Sequence, residues 1–259
     1  MAAEGFDLTG KKALVIGAGS SAGRAIALAL AEAGAEVAIT SASRGEDDVH
    51  ALAETARQLE AKGQRSDPGG ILDAADSGEV REAIEGLTSQ MRRIDILVNC
   101  PDLFLGKPVE EVSDSEWQRI ISVNLSSVFF ACRAAGPQMV KQGFGRIINV
   151  ASGLGERGLP NCSAYCAAKG GVFNVTRALA QEWAAAGVTV NVIAPAWMED
   201  TPGLGELNPE TNRLLRFIPM RRAGRPDEIG PLAVYLASDS AGYLTGRAIF
   251  VDGGLMAHL

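Results

Sequence analysis

Tyr165 and Lys169 are the residues of this sequence whose types and spacing best suit proton transfer. On a helix, side chains four residues apart share one face. A free tyrosine titrates at about pH 10, and a neighbouring ammonium lowers that pKa by favouring the phenolate. A catalytic acid or base works best with a pKa near the operating pH. The pair therefore predicts proton transfer at an oxygen atom, with the pKa of Tyr165 lowered by Lys169.

The spacing alone is weak evidence, because a tyrosine beside a solvated lysine occurs by chance in many helices. The shortage of other acid–base groups favours the catalytic interpretation. The sequence has two histidines, His50 in a charged stretch and His258 as the penultimate residue. A Ser-His-Asp hydrolase therefore has no obvious base.

Composition indicates an ordinary globular protein. The 259 residues are 47% hydrophobic and 21% charged, with a formal net charge of -7 and no basic cluster. We therefore expect neither nucleic acid nor a membrane as a partner. Residues 1–12 contain Glu4 and Asp7 but no apolar core, so no signal peptide is expected. No apolar run is long enough to span a bilayer.

The cysteines predict free thiols rather than a metal site. None of the four forms a C-x-x-C pair, and histidines are scarce; the cysteines are Cys100, Cys132, Cys162 and Cys166. We expect no bound metal. Free thiols fit a reducing compartment, so the predicted location is the cytoplasm.

Short apolar, β-branched runs alternate with longer helical patterns along the chain. The clear runs are Ala13–Ile16, Glu36–Thr40, Asp95–Val98, Arg146–Val150, Val188–Ile193 and Ala248–Val251. A seventh run, around 70–72, is weaker. The alternation predicts an α/β fold over residues 1–259, with a doubly wound, mostly parallel, seven-stranded sheet and helices on both faces. The irregular stretch 198–222 is expected to form a substrate loop or lid.

Open parallel sheets bind ligands at the carboxyl ends of their strands. Gly17, Asn99, Ser152 and Pro195 each lie at the end of a predicted strand, and Tyr165 opens the helix after Ser152. This convergence at one edge of the sheet is stronger evidence for a site than any single motif.

The glycine-rich turn 17–23 joins the first strand to the next helix. Glycine allows the backbone to approach a pyrophosphate, and the helix N-terminus offers free N–H groups. Such a segment can also be only a turn, but its position after the first strand favours a nucleotide site. We expect cofactor contacts from Gly17, Gly19, Ser20, Ser21, Ala22 and Gly23.

The end of the second strand predicts which dinucleotide is used. Folds that select NAD usually place an acidic residue there, whereas an arginine suits a 2′-phosphate. Ser41 stands where the acid would be, and Arg44 follows. We therefore favour NADP(H) over NAD(H). The alternative is that Arg44 is a solvated loop charge.

A capping-box pattern at 113–116 predicts the start of a helix that contains Asn124 among apolar neighbours. Asparagine is a poor helix-interior residue, because its side chain competes for backbone hydrogen bonds. Asn124 is either a structural hydrogen bonder or part of a proton path, and this segment alone leaves both readings open.

In sum, these motifs resemble those of the classical short-chain dehydrogenase/reductase family, over essentially the whole chain. The ordered series is the glycine turn, Asp73–Asp76 with Val80, Val123–Leu125, Asn149–Ser152, Tyr165–Lys169, Asn191–Pro195, Arg225–Glu228, Leu244–Gly246 and Val251–Gly254. The resemblance implies a single-domain Rossmann fold and a homotetramer. It also implies a small carbonyl or alcohol substrate, as in 3-oxoacyl-(acyl carrier protein) reductases and sugar or cyclic-alcohol dehydrogenases.

The resemblance also implies a role for each site residue. Tyr165 gives a proton to the carbonyl oxygen in reduction and takes it back in oxidation, while Ser152 hydrogen-bonds that oxygen. Lys169 holds the nicotinamide ribose and promotes the tyrosinate, and Asn124 keeps a water on the proton path. Further cofactor contacts are implied for Asp73, Ala74, Asn99, Pro195, Met198 and Thr201.

The sequence departs from the family pattern in three places. Ser21 replaces the usual middle glycine of the first turn. The segment 99–102 reads Asn-Cys-Pro-Asp instead of Asn-Asn-Ala-Gly, so Pro101 removes a backbone donor and Asp102 adds a negative charge near the expected cofactor. Ala196 replaces the glycine that commonly follows the proline, and Thr201 falls one place later than the family's usual threonine.

The leading interpretation is an NADP(H)-dependent oxidoreductase that interconverts a ketone and a secondary alcohol. One rival is a dinucleotide-binding regulator or scaffold with little turnover, supported only by the altered segment 99–102. Another is an epimerase or dehydratase on the same fold. Residues 153–162, 103–107 and 198–222 are expected to line the substrate pocket, and they do not select among acyl thioester, sugar and cyclic ketone.

Overall fold

The computed structural model describes residues 5–63, 70–201 and 215–257. Within them, six β-strands alternate with seven α-helices. The strands are β1 (Lys12–Ile16), β2 (Glu36–Thr40), β3 (Ile96–Asn99), β4 (Gly145–Val150), β5 (Val188–Pro195) and β6 (Ala248–Val251). The helices are α1 (Ser21–Glu32), α2 (Glu46–Ala61), α3 (Ser77–Met91), α4 (Asp114–Ile121), α5 (Ser127–Gln142), α6 (Ser163–Trp183) and α7 (Gly230–Ala237).

The strands form one parallel sheet in the order β2-β1-β3-β4-β5-β6. The chain moves outward from β1 to β2, then crosses back to β3 on the other side of β1. Such a reversal opens a crevice at the carboxyl ends of the two central strands. The glycine turn follows β1, and Asn99 ends β3, so both lie at this crevice. The doubly wound parallel architecture is confirmed.

The prediction of a seventh strand around 70–72 is wrong, because the described residues there form no strand. Leu72 lies beside the end of β2, but the Ser41 hydroxyl, rather than the β2 backbone, makes the hydrogen bonds to it. Ser41 Oγ accepts from Leu72 N at 3.0 Å and donates to Leu72 O at 3.2 Å. Ile71 is half-exposed. A run this short, with one apolar side chain in solvent, has too little burial to establish a strand. Residues 64–69 lie outside the described residues.

Two apolar layers cover the sheet. Successive β1 residues alternate between them: Leu14 packs towards α3, α5 and α6, whereas Val15 packs towards α1, α2 and α7. Side chains of a strand point alternately to its two faces. Because both faces are covered, the central strands are largely apolar, which is the pattern the sequence showed.

Helices α4 and α5 are joined by a single π-helical turn, Ser122–Ser126. The expected capping box opens α4, with Ser113 Oγ accepting from Glu116 N at 3.2 Å and Glu116 Oε2 accepting from Ser113 N at 2.8 Å. The joined helix, Asp114–Gln142, is long and apolar enough by composition to cross a membrane. Here Val128 and Ala135 pack into the core, and the segment is a core helix.

Candidate active site

Helix α6 begins at Ser163 and carries Tyr165 and Lys169 on its first two turns. Both side chains are buried, with 6% and 1% of their surfaces exposed. Ser152 follows β4, and the turn after it packs closely on α6, since a Cβ on Gly155 would lie 2.7 Å from the backbone carbon of Lys169. The structure therefore brings the predicted serine, tyrosine and lysine together in one cleft.

The carboxylate of Asp102 lies between the two key side chains. The Tyr165 hydroxyl donates to Asp102 Oδ1 at 2.8 Å. Lys169 Nζ lies 2.9 Å from the same oxygen, and it also donates to the Pro101 carbonyl at 3.1 Å. The ammonium is therefore paired with a carboxylate, while it lies 5.4 Å from the centre of the tyrosine ring.

The pKa of Tyr165 is raised well above its ordinary value, so the predicted lowering is wrong for this structure. Burial is the main cause, because desolvation penalises the phenolate. The negative charge of Asp102 and its hydrogen bond raise the pKa further, and the hydrogen bond with Ser152 acts in the opposite direction. The raised pKa favours the phenol, which is the form of Tyr165 that donates a proton.

Asn124 lies in the π turn and clamps the segment that carries Asp102. Its Nδ2 donates to the carbonyls of Leu103 and Ile120, at 2.9 and 3.0 Å, and its Oδ1 accepts from Leu103 N at 3.1 Å. These contacts give the side chain a structural role. A π turn inside an α-helix often marks a functional site, and the water-holding role of Asn124 stays a prediction.

The glycine turn after β1 depends on close backbone approaches. Gly17 has a φ of +83°, and a Cβ on it would lie 2.5 Å from the Cys100 carbonyl oxygen. A Cβ on Gly23 would lie 2.3 Å from the Gly17 carbonyl oxygen. Larger residues at these positions would therefore push the turn away from β3 or the helix away from the turn.

This turn fits the pyrophosphate of a dinucleotide. Ser20 caps α1 by accepting from Gly23 N at 3.0 Å. The backbone N–H groups of Gly19, Ser21 and Ala22 have no acceptor in the described part of the chain. Unpaired N–H groups at a helix N-terminus are the donors that bind phosphate oxygens.

Ser21, the first departure from the family pattern, bonds an acidic residue beside the turn. Its hydroxyl donates to the carboxylate of Asp200 in the segment after β5. In that segment Thr201 Oγ1 accepts from Met198 N at 3.0 Å. Pro195, Met198 and Thr201 all line the cleft, as expected of cofactor contacts.

The end of β2 differs from the prediction. Ser41 is fully buried with its hydroxyl bonded to Leu72, so it is unavailable as the direct cofactor contact we predicted. The next serine, Ser43, lines the cleft instead. Arg44 donates to Glu79 at 2.9 Å, and Glu79 also accepts from Asp73 N at 2.9 Å. The predicted arginine and aspartate are thus brought together through Glu79.

Asn99 and Ala74 also lie inside the fold rather than on the cleft wall. Asn99 Nδ2 donates to Asn149 Oδ1 at 2.8 Å, and Asn149 Nδ2 donates to Thr176 Oγ1 at 2.8 Å. This buried amide chain ties β3 to β4 and α6. Ala74 is 1% exposed, and its N–H donates to Ala42 O at 3.0 Å.

The cleft around Tyr165 has a cavity volume of about 180 Å³ and mixes polar and apolar walls. Six lining residues come from the predicted substrate segments: Phe104, Gly153, Leu154, Met198, Asp200 and Thr201. The part of the 198–222 segment at 202–214 lies outside the described residues. The lining residues that no predicted segment or motif role covered include Ala151, Trp197 and Leu255. They lie in irregular segments, where no periodic pattern marked them.

Comparison with known proteins gives a consistent result. A family model described as enoyl-(acyl carrier protein) reductase matches residues 17–256. D-threitol dehydrogenase of Mycolicibacterium smegmatis is 39% identical over 256 residues, 96% of this chain and 94% of that protein. A 3-oxoacyl-(acyl carrier protein) reductase of Thermotoga maritima is 36% identical over 251 residues, 96% of this chain and 99% of that protein.

A solved structure shares the whole architecture. It is a gluconate 5-dehydrogenase from Burkholderia cenocepacia in complex with NADP and tartrate. The two chains are 32% identical and superpose with a TM-score of 0.89, covering 99% of each.

Proposed function

The chain belongs to the classical short-chain dehydrogenase/reductase family, and we propose that it is an NADP(H)-dependent enzyme that interconverts a ketone and a secondary alcohol. One observation carries this proposal: Ser152, Tyr165 and Lys169 meet in a single cleft beside the unpaired N–H groups of the glycine turn. The cleft thus combines an acid–base group with a site for phosphate.

The chain's own residues bind the carbonyl oxygen and move the proton. The nicotinamide, when bound, supplies the hydride. In reduction, the hydroxyls of Ser152 and Tyr165 donate hydrogen bonds to the carbonyl oxygen, and the Tyr165 proton passes to that oxygen as the alcohol forms. The tyrosinate left behind is stabilised by the ammonium of Lys169. Oxidation runs the same proton transfer backwards.

The preference for NADP(H) rests on the charges after β2. No acidic residue ends that strand, and the exposed Arg44 follows it directly after Ser43, which lines a pocket beside the glycine turn. Its guanidinium uses one nitrogen for Glu79 and has others for a 2′-phosphate. The related gluconate 5-dehydrogenase was crystallised with NADP.

We assign the remaining cofactor contacts to the turn and the segments around it. We assign the pyrophosphate to the turn residues Gly17, Gly19, Ser20, Ser21, Ala22 and Gly23. We assign Asp73 to the adenine, and Pro195, Met198 and Thr201, which line the cleft, to the nicotinamide. Asn124 supports the segment that carries Asp102.

The substrate is a carbonyl compound of the sugar, acyl thioester or cyclic ketone class. Relatives named for threitol and for 3-oxoacyl thioesters are similarly close, at 39% and 36% identity. The regulator and the epimerase or dehydratase readings are less favoured, because these relatives are named dehydrogenases and reductases.

The proposal is tested by titrating the protein with NADPH and NADH and following nicotinamide fluorescence. A panel of sugar ketones, 3-oxoacyl thioesters and cyclic ketones is then assayed for NADPH oxidation. Binding followed by turnover with one class supports the enzyme. Binding without turnover across the panel would favour the regulator, and binding of neither nucleotide would contradict both.

We further propose that the whole chain works as one domain, with residues 198–222 as the substrate loop, and that it is a cytoplasmic homotetramer. The support is an exposed apolar surface on α4 and α5 that includes Trp117 and Phe129, together with four free thiols. Light scattering after size exclusion should give four times the chain mass; a monomer would contradict the assembly.

A further inference from the structure

We propose that Asp102 is a positioning residue of the active site, holding Tyr165 as the protonated, hydrogen-donating phenol and moving alcohol oxidation to higher pH. This inference rests on the proposed oxidoreductase function. The family pattern has a glycine where this chain has Asp102, so the carboxylate is a property of this chain.

The first support is geometric. One oxygen of Asp102 receives both the Tyr165 hydroxyl, at 2.8 Å, and the Lys169 ammonium, at 2.9 Å. The tyrosine and lysine side chains are almost completely buried, whereas half of the Asp102 side chain is exposed. Charges interact more strongly where water is excluded, and the carboxylate contacts the buried Tyr165 hydroxyl directly, so it acts on Tyr165 at close range.

The second support is that the backbone holds Asp102 from both sides. Before it, Cys100 N donates to Ile16 O at 2.9 Å and ties the segment to β1. After it, Leu103 is clamped by both its N–H and its carbonyl to the Asn124 side chain. Pro101 fixes its own φ between these anchors. The anchor before Asp102, the fixed φ of Pro101 and the clamp on Leu103 together hold the carboxylate beside Tyr165 and Lys169.

The other described groups near Tyr165 do not hold it in the protonated form as Asp102 does. Among the described residues, Lys169 is the cation in contact with Tyr165, and Asp102 shares it. Cys100 stays neutral, because burial raises the pKa of its thiol to about 11. Ser152 carries no charge, and Phe104 packs its ring edge-on against the tyrosine at 5.2 Å. Asp200, across the cleft, is bonded to Ser21 instead.

The chemical consequence follows from which form of Tyr165 each direction needs. Ketone reduction needs the phenol, which gives its proton to the carbonyl oxygen. Alcohol oxidation needs the phenolate, which receives the hydroxyl proton. Replacing Asp102 by asparagine removes a negative charge and releases the Lys169 ammonium to the tyrosine. Both changes favour the phenolate, so oxidation should begin at lower pH.

The test is the ultraviolet titration of tyrosine at 295 nm in the cofactor-free enzyme. The chain has three tyrosines, and the step lost in Tyr165→Phe identifies Tyr165. We expect Tyr165 to stay protonated in the wild type up to the pH at which circular dichroism shows unfolding. In Asp102→Asn the Tyr165 step should become visible about one to three pH units below that pH.

Matched variants keep this test decisive. Asp200→Asn removes an equivalent charge from the same cleft without touching Tyr165, and it should leave the tyrosine midpoint in place. Asp102→Glu keeps the charge and should keep the high midpoint, while Asp102→Ser repeats the test with a different side chain if the asparagine variant does not fold. An unchanged or higher midpoint in the folded Asn or Ser variant would overturn the proposal, as would an equal shift in Asp200→Asn.

The pH profile of alcohol oxidation separates this inference from the proposed function. In Asp102→Asn, the rise of kcat/KM with pH should move down by the same amount as the tyrosine midpoint. A lowered midpoint without any carbonyl turnover would contradict the proposed function and leave the effect of Asp102 on Tyr165 standing. Turnover with an unchanged Tyr165 midpoint would contradict the effect of Asp102 and leave the proposed function standing.

Discussion

The two ends of the cleft are built differently. At the proton-transfer end, Ser152, Tyr165 and Lys169 come from a strand end and the first turns of α6, and all three stand where the sequence predicted them. At the proposed nucleotide end, most of the contacts that we assign come from irregular segments, where Ser41 is buried and Asp200 contacts Ser21. Regular elements fix where the reacting groups lie, whereas the loops between them decide which charges those groups meet.

The largest effect is expected at the proton-transfer end. Tyr165→Phe removes only the oxygen that moves the proton, so turnover should fall by about 10²- to 10⁴-fold while NADPH binding is largely kept. The measurement is kcat for ketone reduction beside a fluorescence titration with NADPH. Tyr243→Phe, at a fully exposed tyrosine, is the control and should keep its activity. Near-wild-type turnover in Tyr165→Phe would exclude it as the acid.

The next effect concerns the backbone of the nucleotide end. Gly17→Ala forces a residue with a side chain into φ +83° and brings its Cβ to 2.5 Å from Cys100 O. We expect at least tenfold weaker NADPH binding and a lower melting temperature. Gly63 shares the positive φ, +78°, but has open space around it. Gly63→Ala should therefore lower the free energy of unfolding by about 1–2 kcal/mol and leave NADPH affinity unchanged. Equal NADPH affinity in both variants would show that the turn does not hold the cofactor.

A smaller and more selective effect is expected from Arg44→Ala. If the guanidinium holds the 2′-phosphate, affinity for NADPH should fall about tenfold, as for the loss of a charge-assisted hydrogen bond, with little change for NADH. Arg57→Ala, at an exposed arginine of α2 paired with Glu54, is the control for general charge. A parallel loss of both nucleotides would place the 2′ site elsewhere.

The smallest effect is expected from Asp200→Asn. The variant removes a carboxylate from beside the phosphate-binding turn, so NADPH and NADH should both bind a few-fold more tightly at low salt. Because Asp200 is exposed, the gain should shrink as salt screens the repulsion. Isothermal titration at two ionic strengths measures this. Weaker binding in Asp200→Asn would show that the Ser21 contact supports the turn rather than opposing the cofactor.

Much of the proton-transfer end was accessible from sequence, because local spacing decides it. The four-residue separation of Tyr165 and Lys169 and the position of Ser152 after a strand both follow from helix and strand periodicity. The capping box at Ser113 is equally local. Patterns of this kind predict a position without reference to the rest of the fold.

The remainder depends on contacts that no local pattern encodes. Tyr165 and Asp102 are 63 residues apart, and that contact, together with burial, reversed the predicted direction of the pKa shift. Ser41 was assigned to the cofactor by its place after a strand, but Leu72 supplied a backbone partner for its hydroxyl. The sequence did show that Asp102 was unusual, while its target became visible only in three dimensions.

The pH dependence of ketone reduction by the wild-type enzyme most directly tests whether Tyr165 is the proton donor held as a phenol. A raised pKa keeps the donor protonated over a wider range, and activity is lost only as the pH rises through that pKa. We expect kcat/KM for reduction to show no descending limb below about pH 10. A descending limb between about pH 6 and 9, absent from the binding of NADPH, would mean that a group with a lowered pKa gives the proton, and would contradict this role of Tyr165.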